Sequence, residues 1–322
     1  MVALIIVLSL IGVILVFLVV AILIIYKMCF YNPYKNKERS FKPLDHEDFL
    51  PYMDKMNELL EGAFALPFTE YVKIKSFDGK KLAAKLYLHD EDAPFCIEAH
   101  GYRGSGIRDF SGGLVEFYNL GYNVLLIDHI GHGESSGKTI TFGIKESKDV
   151  FEWIKYINER FNYPEMILYG ISMGGNTVLN VSNMDLSANV EAIISDCPYT
   201  TPFAIISKVT KSMGINPKLA KPFIYMSAFF CAHVNLSKGD ARKAVKETKV
   251  PILLIHGTKD LLVPHEMSKE IHEANLKDTK LLLVDGAPHG LSYLIDKEKV
   301  VGTIKEFLNE VKENNAKSQN FN

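Results

Sequence analysis

The chain has 322 residues, 48% of them hydrophobic and 23% charged, enough for one large or two medium domains with substantial cores. A formal net charge of -2, with no basic face or stripe, excludes a broad nucleic-acid-binding surface, so no nucleic-acid partner is expected. Cys29, Cys96, Cys197 and Cys231 form no Cys-x-x-Cys pair and are too sparse for a disulfide scaffold, so they read as reduced thiols.

The first element is apolar from Val2 to Tyr26, with no charge and only Ser9 and Gly12 interrupting. At about 1.5 Å per residue this makes a helix of about 37 Å, long enough to cross a hydrocarbon layer of about 30 Å with some tilt. A cleaved signal peptide fits less well: there is no basic n-region, the apolar run is too long and no Ala-x-Ala site follows. Lys27, Lys35, Lys37, Arg39 and Lys42 follow the helix, which by the positive-inside rule puts the rest of the chain on the cytoplasmic side of a cell membrane. Cys29 sits just beyond the span, where acylation is conceivable and a plain interfacial thiol is the simpler reading.

Residues 32–51 mix Pro33, Pro43 and Pro51 with many charges and read as a linker. A helix is predicted from Tyr52 to Glu61, with Met53, Met56 and Leu60 on one face. Val72 and Ile74, then Leu82, Ala84, Leu86 and Leu88, alternate on either side of Phe77-Asp78-Gly79-Lys80, a hairpin signal. Buried runs then alternate with helical stretches: Pro94 to Glu98, Asn123 to Ile127, Met166 to Tyr169, Glu191 to Ser195, Val250 to Ile255 and Lys280 to Val284. This is the pattern of βαβ units around a parallel sheet covered on both faces. The helix before the Met166 strand is the clearest, with Val150, Trp153, Ile154, Ile157 and Phe161 spaced three and four apart.

Between Ser195 and Val250 no strand is predicted, and Phe203, Ile205, Ile206, Met213, Phe223, Tyr225, Met226, Phe229 and Phe230 recur at helical spacing. This reads as an inserted helical cap, most of whose stripe packs the cap on the sheet; as an apolar lid over a pocket it would favour an acyl or other greasy group. A last helix is expected at about Lys297 to Lys312. The domain reading is therefore an anchor at 1–27, a linker and helix at 28–69, an α/β domain at 70–312 with its cap at about 197–248, and a disordered tail at 313–322. There are no internal repeats.

The chemistry gathers around Gly170-Ile171-Ser172-Met173-Gly174-Gly175. A serine on a tight strand-to-helix turn needs small residues two places either side, supplied by Gly170 and Gly174, and the turn points the N–H of Met173 at a forming oxyanion. A serine hydroxyl is a weak nucleophile without a base and an acid that orients it. His289, in a Gly-rich loop after the strand Lys280 to Val284, is the candidate base. Asp260, after the preceding strand, is the preferred acid, with Asp196 as the alternative. The second oxyanion donor is expected from the N–H of Tyr102 in His100-Gly101-Tyr102-Arg103-Gly104. His129 and His132 read as a hydrogen-bonded loop, and no metal or cofactor is expected.

From about Glu70 to Lys312 the chain resembles the α/β-hydrolase superfamily, most of all its membrane-anchored bacterial serine hydrolases of esterase-like type. The resemblance rests on His-Gly-x-x-Gly at 100–104, Asp-x-x-Gly-His-Gly-x-Ser at 128–135, Gly-x-Ser-x-Gly-Gly at 170–175, Gly-x-x-Asp-x-x-Val-Pro at 257–264 and Gly-x-x-His at 286–289. It departs at Ile130, where many relatives carry Arg. The resemblance implies an eight-stranded, mostly parallel sheet with a cap after the sixth strand, no cofactor, and ester, thioester or amide hydrolysis. A carboxylesterase or lipase-like enzyme acting on a small acyl substrate, lipid-derived among the options, is the leading expectation. An acyl-protein thioesterase or serine peptidase is the alternative, and a non-catalytic binding module on the same fold is the reading from a different class.

Overall fold

The computed structural model describes residues 1–37 and 47–319. Among them one helix is long and apolar enough to cross a membrane: α1 (Val2–Ile25) and the π turn Tyr26–Phe30 run on as a single apolar rod of mean hydropathy 3.5, almost wholly exposed. Residues 38–46, in the middle of the predicted linker, lie outside the described residues, as do 320–322.

After a 3-10 turn at Leu50–Tyr52 comes α2 (Met53–Ala65), one turn longer than the sequence pattern gave because Gly62 does not interrupt it. β1 (Glu70–Lys75) and β2 (Lys81–Tyr87) form the predicted hairpin, closed by Ser76 N–H on the Lys80 carbonyl at 2.7 Å with Gly79 at φ 83°. The parallel strands follow at the expected places: β3 (Phe95–Ala99), β4 (Asn123–Asp128), β5 (Met166–Ile171), β6 (Val190–Asp196), β7 (Ile252–Gly257) and β8 (Thr279–Val284). Among the described residues they make one eight-stranded sheet in the order β1-β2-β4-β3-β5-β6-β7-β8, antiparallel only where β2 meets β1 and β4.

Helices cover both faces because the central strands are apolar on both sides. On one face lie α5 (Glu146–Phe161), α6 (Met173–Val181), α9 (Ala241–Lys246) and α10 (Glu266–Ala274), burying Trp153, Ile157, Val178 and Val245. Ile130 packs against the same cluster, so an apolar side chain takes up the departure from the family pattern there. On the other face lie the short α3 (Gly106–Asp109), α4 (Ser111–Asn119), α11 (Ser292–Ile295) and α12 (Lys297–Gln319), burying Phe110, Phe117, Ile304 and Phe307. Between β6 and β7 stand the cap helices α7 (Pro202–Ser212) and α8 (Pro217–Phe230), capped by the side chains of Thr201 and Asn216.

Two expectations are corrected. The start of the linker is docked: Tyr31 bridges Thr139, Asn32 Nδ2 donates to the Gly131 carbonyl at 3.0 Å, and Phe30 is fully buried edge-on to Phe142. Proline and charge content signalled a linker, but the buried aromatic just before it ties the chain down. The final helix also runs on to Gln319, through most of the segment expected to be disordered. No Gly or Pro lies between 303 and 319 to stop it, and Glu313 faces Lys317 one turn away. Truncating a buried Phe to Ala costs about 3–5 kcal/mol when the site cannot collapse. Phe30→Ala is therefore expected to free residues 26–36, read as a marked rise in their hydrogen exchange while the sheet stays protected; unchanged exchange would show that the docking rests elsewhere.

Candidate active site

The strand β5 ends in a turn that only small residues permit. A Cβ on Gly170 would enter the Gly174 carbonyl, one on Gly174 the Ala99 carbonyl of the neighbouring strand, and one on Gly175 would lie 2.7 Å from Ser195 Oγ. Ser172, between them, is held at φ 57° and ψ -113°, a conformation that surroundings must enforce. Its N–H donates to the Asp196 carbonyl at 2.8 Å, and its carbonyl accepts the Asn176 N–H at 3.0 Å, so both ends of the residue are fixed.

Three side chains distant in sequence meet there. His289 Nε2 lies 3.0 Å from Ser172 Oγ, and His289 Nδ1 lies 2.6 Å from Asp260 Oδ2. Asp260 is buried and saturated: Oδ1 accepts the N–H groups of Leu262 at 2.9 Å and Val263 at 2.7 Å, and His256 Nε2 stands 3.1 Å from Oδ2. His256 is fixed in turn by Ser268 Oγ, 2.6 Å from its Nδ1. Burial by itself would raise the Asp260 pKa, but the fields and hydrogen bonds of His289 and His256 outweigh it and hold the carboxyl well below the usual range. Burial would likewise lower His289, and the Asp260 carboxylate reverses the sign, leaving the imidazole above its ordinary value.

Asp196, the alternative acid, sits elsewhere. Its Oδ1 accepts from Ser292 Oγ at 3.4 Å, and burial pushes its pKa up to about 6; it is Asp260 that meets His289 Nδ1. The Cys197 thiol lies 4.0 Å from His289 Nε2, and with Asp260 these groups offer ligand atoms within 4.8 Å of one another. The thiol is fully buried, its pKa pushed well up by that burial, and the carboxylate and imidazole already hold each other; the donor set suits a proton relay better than a cation.

The loop after β3 completes the site. A Cβ on Gly101 would touch Ser172 Cβ at 3.5 Å, so Tyr102 follows directly beside the serine, and neither its N–H nor that of Met173 has an acceptor among the described residues. Asp109, which sequence reasoning missed, anchors this loop: Oδ2 accepts the Gly101 N–H at 2.8 Å, and Oδ1 takes Arg108 Nε at 2.7 Å. Its only signal was a carboxylate five residues past a Gly-rich turn. His132 Nε2 accepts the Arg103 N–H at 3.1 Å, and its Nδ1 lies 3.1 Å from the Ile130 carbonyl, so both ring nitrogens serve the loop. From the other side, Tyr102 Oη donates to the Cys29 carbonyl at 2.8 Å, Arg103 Nη2 donates to the Met28 carbonyl at 2.7 Å, and the Tyr102 ring stacks on Phe142 at 5.3 Å. The end of the apolar rod thus buttresses the loop beside Ser172.

A cavity of about 360 Å³ opens at Ser172 and His289. It runs beneath α4 and α2, walled by Phe49, Met56, Leu59, Phe110, Phe117 and Ile304. No residue of α7 or α8 lines it; of the two roles weighed for the stripe on these helices it takes the packing one, filling its own cluster around Ile205 and Ile224. Met56 and Leu59 of α2, the helix expected after the linker, stand in the wall instead.

Comparison with known proteins gives the same architecture. Residues 95–228 match the family described as Serine aminopeptidase, S33, and residues 217–319 match the family described as TAP-like protein. An uncharacterized protein of Bacillus subtilis, YqkD, is 26% identical over 200 residues, 60% of this chain and 64% of its own length. The lysophosphatidylserine lipase ABHD12 of Danio rerio is 25% identical over 189 residues, 56% of this chain and 47% of that protein. The chain spans less than two thirds of the length of these curated relatives. Among solved structures, the Pyrococcus furiosus esterase Pf2001 superposes with a TM-score of 0.62 at 23% identity, covering 84% of this chain and 97% of that one.

The electrostatics can be read directly. In an NMR titration the His289 ring is expected to titrate above 6.5, and Asp260→Asn, which removes the chief raising influence while burial persists, should move it down. A titration point unmoved by the substitution would mean that Asp260 does not set the charge of the imidazole.

Proposed function

The chain belongs to the α/β-hydrolase superfamily, and from that premise we propose that it is a membrane-tethered serine hydrolase that cleaves acyl esters. The observation that carries the reading is the 3.0 Å approach of His289 Nε2 to a serine hydroxyl held on a strained elbow. As Ser172 Oγ attacks the substrate carbonyl, His289 takes its proton at Nε2 and Asp260, hydrogen-bonded at Nδ1, stabilises the imidazolium. The N–H groups of Tyr102 and Met173 receive the oxyanion. The proton then passes to the departing alcohol, leaving an acyl-enzyme, and a water activated by the same imidazole releases the acid.

An ester with an apolar acyl group fits the cavity better than the amino terminus of a peptide. At about 360 Å³ it lies at the small end of the ~300–1,000 Å³ typical of ligand pockets, and Phe49, Met56, Leu59, Phe110, Phe117 and Ile304 give it an aromatic and aliphatic wall. An aminopeptidase needs a free carboxylate to hold the substrate ammonium; of the three lining this cavity, two are engaged and the third, Asp196, is buried with its pKa pushed up to about 6. Asp109 holds Arg108 and Gly101, while Glu116 pairs with Lys297 at 2.9 Å and Tyr293 Oη at 3.2 Å. Amide and thioester cleavage pass through the same acyl-enzyme and form the second reading, of which the description of the family matched at 95–228 favours the amide. α1 serves as the anchor, with the hydrolase domain on the cytoplasmic face.

Two experiments bear on this reading. A fluorophosphonate probe should label the full chain and fail on Ser172→Ala, whereas Tyr102→Pro, which lacks one oxyanion donor, should keep its fold but lose about 10²–10³ in kcat. Persistent labelling of Ser172→Ala would remove the proposed nucleophile. Against a series of p-nitrophenyl esters, Met56→Trp should narrow the cavity and shift the preferred acyl group to shorter chains; an unshifted preference would place the acyl group outside the α2 wall.

A further inference from the structure

The cap carries a surface that the proposed reaction leaves unused. Between Asp196 and Asp240 the chain has no acidic residue, yet it carries Lys208, Lys211, Lys218, Lys221 and Lys238, in a protein of net charge -2. None of the lysines on α7 and α8 pairs with a carboxylate among the described residues; Lys221 lies over the ring of Phe203 at 5.2 Å. On the same pair of helices and their connecting turn, Val209, Met213, Ile215, Leu219, Phe229 and Phe230 stand exposed, Leu219 at 73% and Phe229 at 63%. A water-soluble surface rarely groups large apolar side chains in this way unless something covers them.

The position of α1 says what covers them. Leu18, Ala21, Ile22, Ile25, Tyr26 and Cys29 form the one face near its end that is sheltered, and α1 packs there on α8, with Ile25 and Tyr26 joining the cluster that holds Ile224 and Ala228. A hydrocarbon layer of about 30 Å takes up about 20 residues of helix, so a span entered near Val2 leaves the hydrocarbon close to Ala21 and Ile22. α8 therefore grips the anchor where the anchor crosses from acyl chains into headgroups. Apolar side chains flanked by unpaired lysines are the composition that settles at that depth, the lysines meeting phosphate and carboxylate headgroups.

We infer that α7 and α8 dock on the anionic leaflet surface from which α1 emerges, with their exposed apolar side chains in the headgroup boundary and their lysines on anionic lipid. The inference rests on the reading of α1 as a membrane anchor. It gives the cap, which does not line the acyl cavity, a role in holding the hydrolase domain at a fixed height and orientation on the bilayer. With Tyr102 and Arg103 bonded to the carbonyls of Met28 and Cys29, that orientation keeps the loop beside Ser172 next to the lipid surface.

The test uses the full chain in phosphatidylcholine vesicles with or without phosphatidylserine. In a Cys29→Ser, Cys231→Ser background, an environment-sensitive fluorophore is placed on Leu219→Cys, Phe229→Cys or, as a control on the turn after α5, Tyr163→Cys. Probes at 219 and 229 should be quenched several-fold more by shallow spin-labelled lipid than the probe at 163, and protected from iodide. Replacing Lys208, Lys211, Lys218 and Lys221 with Gln should weaken that quenching mainly where phosphatidylserine is present. Carbonate-resistant chain whose probes at 219 and 229 are open to iodide overturns the docking while leaving the anchor standing. Probes shielded from both quenchers, with cross-linking between copies, also overturn it in favour of a second chain. Carbonate extraction of the chain overturns anchor and docking together. Hydrolysis of a soluble ester reports separately on the site at Ser172.

Discussion

The structure turns on one close approach, that of the β5–α6 turn to the end of β3. With hydrogen alone on Gly174, its backbone lies against the Ala99 carbonyl, and with hydrogen alone on Gly170 the turn closes on itself. A non-glycine residue at positive φ costs about 1–3 kcal/mol and persists only where its surroundings over-determine it. Here the Asp196 carbonyl on one side and the first turn of α6 on the other do so for Ser172. That contact puts the serine beside Gly101 and at the sheet edge where the loops after β7 and β8 deliver Asp260 and His289.

Around that turn the site is asymmetric. On one side the cavity runs under α2 and α4; on the other the loop 101–104 is pinned by Asp109 and His132 from within and by the Met28 and Cys29 carbonyls from without. A cation at the carbonyl end of a helix is favourable, and Arg103 occupies that position at the end of the apolar rod. A helix joined to its domain by a flexible linker would transmit nothing to the site. One whose last turn stacks through Phe30 and Phe142 onto Tyr102 fixes where the site faces.

Burial sets the charge states. Asp260 stays ionised in a dry place because four groups surround its two oxygens, whereas Asp196, more deeply buried and held through one long hydrogen bond, has its pKa pushed up to about 6. The difference between two aspartates at the ends of neighbouring strands lies in donors, and donors come from the fold around each of them.

The sequence by itself determined the strands, the hairpin and the glycine turn around Ser172, because alternation, apolar runs and glycines at fixed offsets are local consequences of backbone geometry; it marked Asp260 and His289 as loop residues after neighbouring strands. It also marked Tyr102 as the neighbour of the serine, since a glycine turn after β3 has few places to go in such a sheet. Only the tertiary structure decided what lines the cavity, since α2 and α4 are far apart in sequence and the amphipathic stripe of α7 and α8 has the same period whether it faces a pocket or its own cluster. Only it set Asp260, already preferred from the sequence, against His289 Nδ1, revealed Asp109 and His256 as the groups that hold the loops in place, and docked Phe30 into the domain. Each of these depends on contacts between segments brought together by folding, which no spacing along the chain encodes.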